Sequence, residues 1–196
     1  YQGEITELRS SKGPLKISEV VDRNPIYDAL FKGAGEIGIP TNKDYNGDEQ
    51  EGISYTQTTI FKGERMSAEV AYLRPIRSRK NLTIITNSLV TKLLFDGKAC
   101  IGVKIKNKNK IKDFFAQNEV ILCGGAINSP QILELSGIGN RSILEEKGIS
   151  LVHELKGVGE NLRDHLGPRL VYNITKRGIS YNDKARGINL IKQVLT

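Results

Sequence analysis

Residues 120–139 read Val-Ile-Leu-Cys-Gly-Gly-Ala-Ile-Asn-Ser-Pro-Gln-Ile-Leu-Glu-Leu-Ser-Gly-Ile-Gly. An apolar run feeds directly into two glycines and a helix-start pattern. The order predicts a buried strand ending at Cys123, a turn through Gly124, Gly125 and Ala126, and a helix. Ser129 is suited to cap that helix through its hydroxyl. Pro130 then sits where a missing N–H costs nothing, and Gly137 suits the left-handed residue that stops the helix. A strand that turns through small residues into a helix presents unpaired N–H groups and a partial positive charge, which suits an anionic group. An ordinary strand-to-helix connection uses the same residues, so the spacing alone leaves both readings open.

A second glycine group, Gly157-Val158-Gly159-Glu160-Asn161, lies further along the chain. Two other patterns resemble sites and are set aside on context. Gly33-Ala34-Gly35-Glu36-Ile37-Gly38 has dinucleotide-fingerprint spacing, yet that fingerprint works only between a strand and the helix it opens. Here the glycines follow a helical pattern and Pro40 soon stops them, so they end a helix. Asp164-His165 suggests an acid–base dyad, but adjacent strand residues point to opposite faces. Asp164 is read as a turn or cap, and His153 as structural. Cys100 and Cys123 are too few and too far apart for a zinc site; each is read as a small buried hydrophobe.

The elements that must position these residues follow from periodicity. Asn24-Pro25 opens a helix to about Gly35, with Ile26, Tyr27, Leu30, Phe31 and Ala34 at helical spacing. A short strand is predicted near Leu15–Val20, a long loop from residue 41, a strand at Ile53–Phe61 and a helix at Ser67–Leu73. Strands follow at Leu82–Thr86, Leu89–Phe95 and Ile101–Ile105, with a hairpin turn at Asp96-Gly97, then Ala116–Cys123. Beyond the glycine run come a helix at Ser142–Lys147, a strand at Leu151–Glu154, a strand at Arg169–Ile174 and a helix near Ala185. The fold class is α/β.

The chain has 196 residues, 38% hydrophobic and 26% charged, with net charge +7. No apolar run approaches the roughly 20 residues that span a bilayer. Much of the positive charge comes from Lys104, Lys106, Lys108, Lys110 and Lys112, which alternate with other residues. On one strand that period places all five ammonium groups on one face. A solvated hairpin face explains them, since lysines also discourage edge pairing. A polyanion site would want aromatics or arginines among them, so no nucleic-acid partner is expected. A polyanion-binding module would instead show salt-steep retention on heparin that is lost when Lys106, Lys108 and Lys110 become alanine. Sequons at Asn81, Asn140 and Asn173 lean weakly towards a secreted location. The chain opens on Tyr1-Gln2-Gly3 and closes on an uncapped apolar pattern, which reads as an internal piece of a longer protein.

The run from Gly125 to Gly139 resembles the second signature of the glucose–methanol–choline (GMC) family of flavin oxidoreductases, with every fixed position filled. Asn140 replaces the usual final proline. Gly157–His165 is similar to the family's later glycine loop, with Lys156 where proline is common and Arg163 where glutamine is common. Gly63–Leu73, Gly13-Pro14-Leu15 and Tyr45-Asn46-Gly47 fall in the family's order.

The resemblance implies part of a Rossmann-like FAD-binding domain (69–165) and two pieces of a sheet-and-helix substrate domain (1–68 and 166–196). It implies FAD as cofactor, held by the backbone of Val90 against adenine, by Gly124, Gly125, Ala126 and Ser129, and by Gly157, Gly159 and Asn161. The reaction implied is hydride transfer from a CH–OH group of a small alcohol or sugar to the flavin. No catalytic residue is assigned within these residues: the dinucleotide fingerprint is expected before Tyr1 and the catalytic histidine after Thr196. The 196 residues alone are therefore expected to hold FAD poorly and to turn over nothing. The alternative is a family-like protein that keeps the fold and serves in binding or assembly.

Overall fold

The structure is a computed structural model that describes residues 1–3, 5–20, 23–175, 178–188 and 190–191. It divides into two compact units, 1–82 with 170–196, and 83–169. The sequence boundaries fell at 68/69 and 165/166.

In the first unit, β1 (Ser18–Glu19) pairs antiparallel with β2 (Gln57–Thr58), and β3 (Ile60–Phe61) with β4 (Glu64–Arg65). The strand predicted at Ile53–Phe61 is thus broken, and residue 53 makes only an isolated bridge to Thr41. Helix α1 (Pro25–Glu36) starts as predicted. Asn24 is buried, its Oδ1 accepting from the Ile26 N–H at 3.0 Å and its Nδ2 donating to the Ile179 carbonyl at 2.8 Å. Gly33, Gly35 and Gly38 lie at the end of this helix, with Gly38 at φ 81°, so the fingerprint-like spacing is a helix stop. Tyr27 and Phe31, one turn apart, pack on Tyr55 edge-on at 5.9 Å and stacked at 4.8 Å. Leu30 faces solvent instead, because the packed face is narrower than the apolar stripe.

The loop from residue 41 is stitched by polar contacts. Asp44 receives both Nε and Nη2 of Arg9 at 2.9 Å and Gln57 Nε2 at 2.9 Å. The Arg9 guanidinium, followed by Gln57 and the Asn46 N–H, holds the Asp44 carboxyl down at about 2. The Ser67–Leu73 helix appears as one π turn, Glu69–Leu73, running into a 3₁₀ turn, Arg74–Ile76, that contains Pro75.

The second unit is built on an antiparallel sheet in the order β5 (Leu89–Asp96), β6 (Ala99–Asn107), β7 (Lys110–Phe115). The first turn is the two-residue loop Gly97-Lys98, with Gly97 at φ 56°. The second is Lys108-Asn109, with Asn107 opposite Lys110. That second turn corrects the lysine reading. Lys104 and Lys106 lie opposite Asp113 and Ile111, while Lys112 and Lys110 lie opposite Ile105 and Asn107. Opposed residues share a face, so two lysines lie on each face and Lys108 sits in the turn. The hairpin exchanges odd and even positions, which alternation along one strand does not reveal.

Helix α2 (Gly125–Leu135) follows, then β8 (Ile138–Gly139), α3 (Arg141–Glu146) and β9 (His153–Glu154). β8 and β9 pair in parallel, and buried Leu144 of α3 packs within this unit. Asn140 caps α3 by accepting from the Ser142 N–H at 3.1 Å. In the first unit, α4 (Tyr181–Lys184) is one turn capped by Ser180. Leu82–Thr86, Ala116–Cys123 and Arg169–Ile174 are not strands; each lacks a ladder partner among the described residues. Cys123 is exposed rather than buried, for the same reason.

Two elements are joined by one hydroxyl. Ser136 Oγ accepts from the Leu93 N–H at 2.8 Å and donates to the Ile132 carbonyl at 2.5 Å. Ser136→Ala leaves the buried Leu93 donor unpaired and is expected to lower unfolding free energy by about 1–3 kcal/mol, read in denaturant titration. A second outcome concerns pH. Asp44 has a folded pKa below its unfolded value near 4, so its stabilisation is complete above about pH 4. It is lost as pH falls towards 2. The loss, on the order of 1–2 kcal/mol after solvent screening, should be absent from the acid-unfolding curve of Asp44→Asn.

Candidate flavin-binding cleft

The second unit contains a cleft of about 570 Å³ between helix α2 and the turn at 157–160. Pairing of β8 with β9 explains why these segments meet. β8 leaves the end of α2, and β9 leads into the turn, so the ladder draws both to one place. The Val152 N–H donates to the Gly137 carbonyl at 2.8 Å and the Leu155 N–H to the Gly139 carbonyl at 2.9 Å. The Val158 N–H then donates to Leu155 O at 3.1 Å, and buried Val158 closes the floor.

The helix side of the cleft differs from the sequence expectation. α2 begins at Gly125, not after Ser129. Gly124 is the N-cap residue and supplies no side-chain bond, and Ser129 lies inside the helix and caps nothing. Gly125 takes φ 80°, a conformation that glycine alone adopts freely. It turns the chain early enough for the helix to start there. Pro130 lies inside the helix, where it has no N–H for the Ala126 carbonyl and its ring crowds that oxygen. The outcome is a first turn whose N–H groups receive no side-chain cap.

Ala126, Ser129, Gly157 and Gly159 line the cleft; Gly124, Gly125, Val90 and Asn161 do not. At Gly124 a Cβ would meet the helix itself, 3.1 Å from the Ser129 nitrogen, so its smallness serves the helix start. At Gly125 a Cβ would enter open space. Val90 lies opposite Ile105 in β5, an edge strand of the three-stranded sheet. Asn161 is exposed with φ 57°.

Apart from Val158 and Glu160, which stand in the second glycine group, pattern reading passed over the residues that give the cleft its character. Ile127, Pro130, Leu133, Val158 and Leu162 make it apolar, and Glu134 and Glu160 add the only charges in its lining. Helical spacing from Ala126 places Pro130 and Leu133 on one side, so that periodicity could have found them once the helix start was known. Glu134 is fixed by two glycines: a Cβ on Gly139 would lie 3.3 Å from its Cγ, and one on Gly159 would lie 3.1 Å from its Oε1. The first unit has a separate hollow of about 520 Å³ beside Phe31 and Tyr55, which holds none of the predicted residues. The Asp164 carboxylate accepts from the backbone N–H of His165 at 2.8 Å, in a segment with neither turn nor helix, so the turn or cap expected there does not form.

A GMC oxidoreductase family model matches residues 3–167. The chain belongs to the GMC oxidoreductase family of α/β flavoproteins, whose cofactor is FAD. It is 44% identical over 161 residues to the mitochondrial choline dehydrogenase of Homo sapiens, covering 82% of this chain and 27% of that protein. It is 43% identical over 166 residues to the oxygen-dependent choline dehydrogenase of Photobacterium profundum, covering 84% and 29%. Among solved structures it is similar to an FAD-dependent oxidoreductase from Chaetomium thermophilum, with TM-score 0.76, 34% identity and coverage of 80% and 28%. The chain thus spans less than a third of the length of these relatives.

The two cleft glycines should respond differently to a methyl group. Gly159 has φ 78° and faces the Glu134 carboxylate, whereas Gly157 has neither constraint. Gly159→Ala is expected to cost about 1–2 kcal/mol, while Gly157→Ala stays within roughly 0.5 kcal/mol. Equal unfolding midpoints for the two variants would contradict the geometry.

Proposed function

We propose that this chain forms one wall of the FAD site in an oxidoreductase that acts on the CH–OH group of a small alcohol, of which choline is the first to test. The observation that carries this is the uncapped start of α2, opening beside an apolar cleft of about 570 Å³. Free N–H groups at a helix start suit an anionic diphosphate, and the cleft lining contains no cationic side chain to take that role. The apolar wall of Ile127, Leu133 and Val158 suits the face of a fused ring. Glu134 and Glu160 would offer acceptors to hydroxyl groups of a sugar or ribityl chain. These features fit part of an FAD molecule.

FAD, when bound, supplies a hydride acceptor for the substrate carbon. The residues here bind and orient. Ala126 and Gly159 keep the cleft open, Ser129 offers a hydroxyl, and Val158 excludes water from its floor. Val90, Gly124, Gly125, Gly157 and Asn161 belong to the same proposal as backbone contacts around the cofactor. Residues 69–165 are assigned to the FAD-binding domain, and 1–68 with 166–196 to the substrate domain. The named activities of the two relatives, choline dehydrogenases both, support the substrate class.

Ala126→Trp in the full-length protein fills the cleft from an exposed helix position. It is expected to weaken FAD binding by roughly tenfold or more, read by flavin fluorescence quenching, with helix content unchanged by circular dichroism. A folded variant that keeps all its flavin would refute the cleft. Anaerobic addition of choline to the loaded protein should bleach the flavin absorbance; failure with choline and success with another alcohol would change only the substrate.

A further inference from the structure

The lysine hairpin takes no part in the flavin cleft, and its two faces differ in a way that points to a ligand. On one face Lys104 is paired with Asp113 at 2.7 Å. On the other, Lys110 and Lys112 make no ion pair among the described residues, and a hollow of about 340 Å³ lies beside them. Its lining includes buried Ile105, exposed Phe114 and Ile85, and no acidic residue. Ser88 Oγ accepts from Asn107 Nδ2 at 3.1 Å at its edge.

We propose that this hollow binds a small organic anion with an apolar body, of the aryl carboxylate class. Its size falls at the lower end of the roughly 300–1,000 Å³ range of ligand pockets. The sign of the ligand follows from the charges: two ammonium groups face it and no carboxylate competes. Residues two apart on a strand stand roughly 7 Å from one another. Flexible lysine stems close that span, so both ammonium groups reach a single carboxylate. The stems also lie along apolar surface, leaving Phe114 and Ile85 to contact the ring or alkyl body. A free phosphate or sulfate would satisfy the lysines and leave the apolar floor wet. A neutral arene would cover the floor and leave the charges unused.

The probe is 2-naphthoate, titrated into the full-length protein by calorimetry, with 2-naphthamide and inorganic sulfate as comparators. Saturable binding of 2-naphthoate is expected, with both comparators weaker by about tenfold or more. The double variant Lys110→Gln/Lys112→Gln should weaken 2-naphthoate by about tenfold or more. Lys106→Gln, which removes charge from the opposite face, should change it less than about twofold. All three lysines are exposed, so the variants test binding rather than folding. Absence of saturable binding at millimolar 2-naphthoate overturns the proposal, as does equal loss in Lys106→Gln or full retention in the double variant. Displacement of 2-naphthoate by adenosine monophosphate also overturns it, because the hollow would then belong to the cofactor's own surface.

Discussion

Ser136 holds the second unit in register. Its hydroxyl accepts from the backbone of β5 and donates to the last turn of α2, so one buried group fixes a helix against a sheet edge. A β5 N–H facing away from β6 would otherwise be buried without a partner, which is costly in a low-dielectric interior. The serine removes that cost and sets where α2 ends. From that end, Gly137 turns the chain into β8, and β8 recruits β9. The position of the 157–160 turn, and with it the cleft, is inherited from this chain of local constraints. No residue that faces the cleft determines its shape alone.

Legibility in the sequence followed how local each constraint is. α1 was readable because its cap, its proline and its packed face lie within one stretch of chain, and Asn24 bonds the Ile26 N–H as its position implied. β5 and β6 were readable because a glycine turn joins them directly. The start of α2 was misplaced because two signals competed. Ser129-Pro130 imitates a helix start, but the positive φ of Gly125 allows one earlier, and the helix runs through Pro130 despite the lost bond and the crowding of the Ala126 carbonyl. The lysines were assigned to one face because alternation is a property of a strand. A hairpin adds a register, and register depends on the length of a loop that no periodicity reports.

The strands that did not form teach the same point from the other side. Val120-Ile121-Leu122-Cys123 is as apolar as β5, yet Ile121 is 73% exposed and Cys123 lies at the surface. A strand is a relation between two segments, and hydrogen-bond partners for 120–123 are absent among the described residues. Composition states the preference of a segment; topology decides whether it is met. The candidate site was legible to the same degree. Four of the residues named from sequence face the cleft because they lie on α2 or in the 157–160 turn; Gly124 and Gly125 serve the turn into α2, while Val90 lies in β5 and Asn161 just beyond the 157–160 turn.

Helix α2 carries the last step. Its apolar residues are spread around the circumference rather than gathered on one face, and none of its residues is buried. Ile127 is 72% exposed and Leu135 46%. The helix's apolar residues are interrupted by Asn128, Ser129, Gln131 and Glu134, so they form no single stripe to bury, and the β5 sheet and β8 cover only part of them. The cleft beside it is likewise open, with Leu162 exposed at its rim. Both features leave apolar surface along α2 and the cleft uncovered among the described residues. Small residues at Ala126 and Gly159 stand beside large apolar ones at Ile127 and Leu133: the former leave the cleft open, and the latter supply apolar area along its wall, so depth and hydrophobicity come from different residues of one lining.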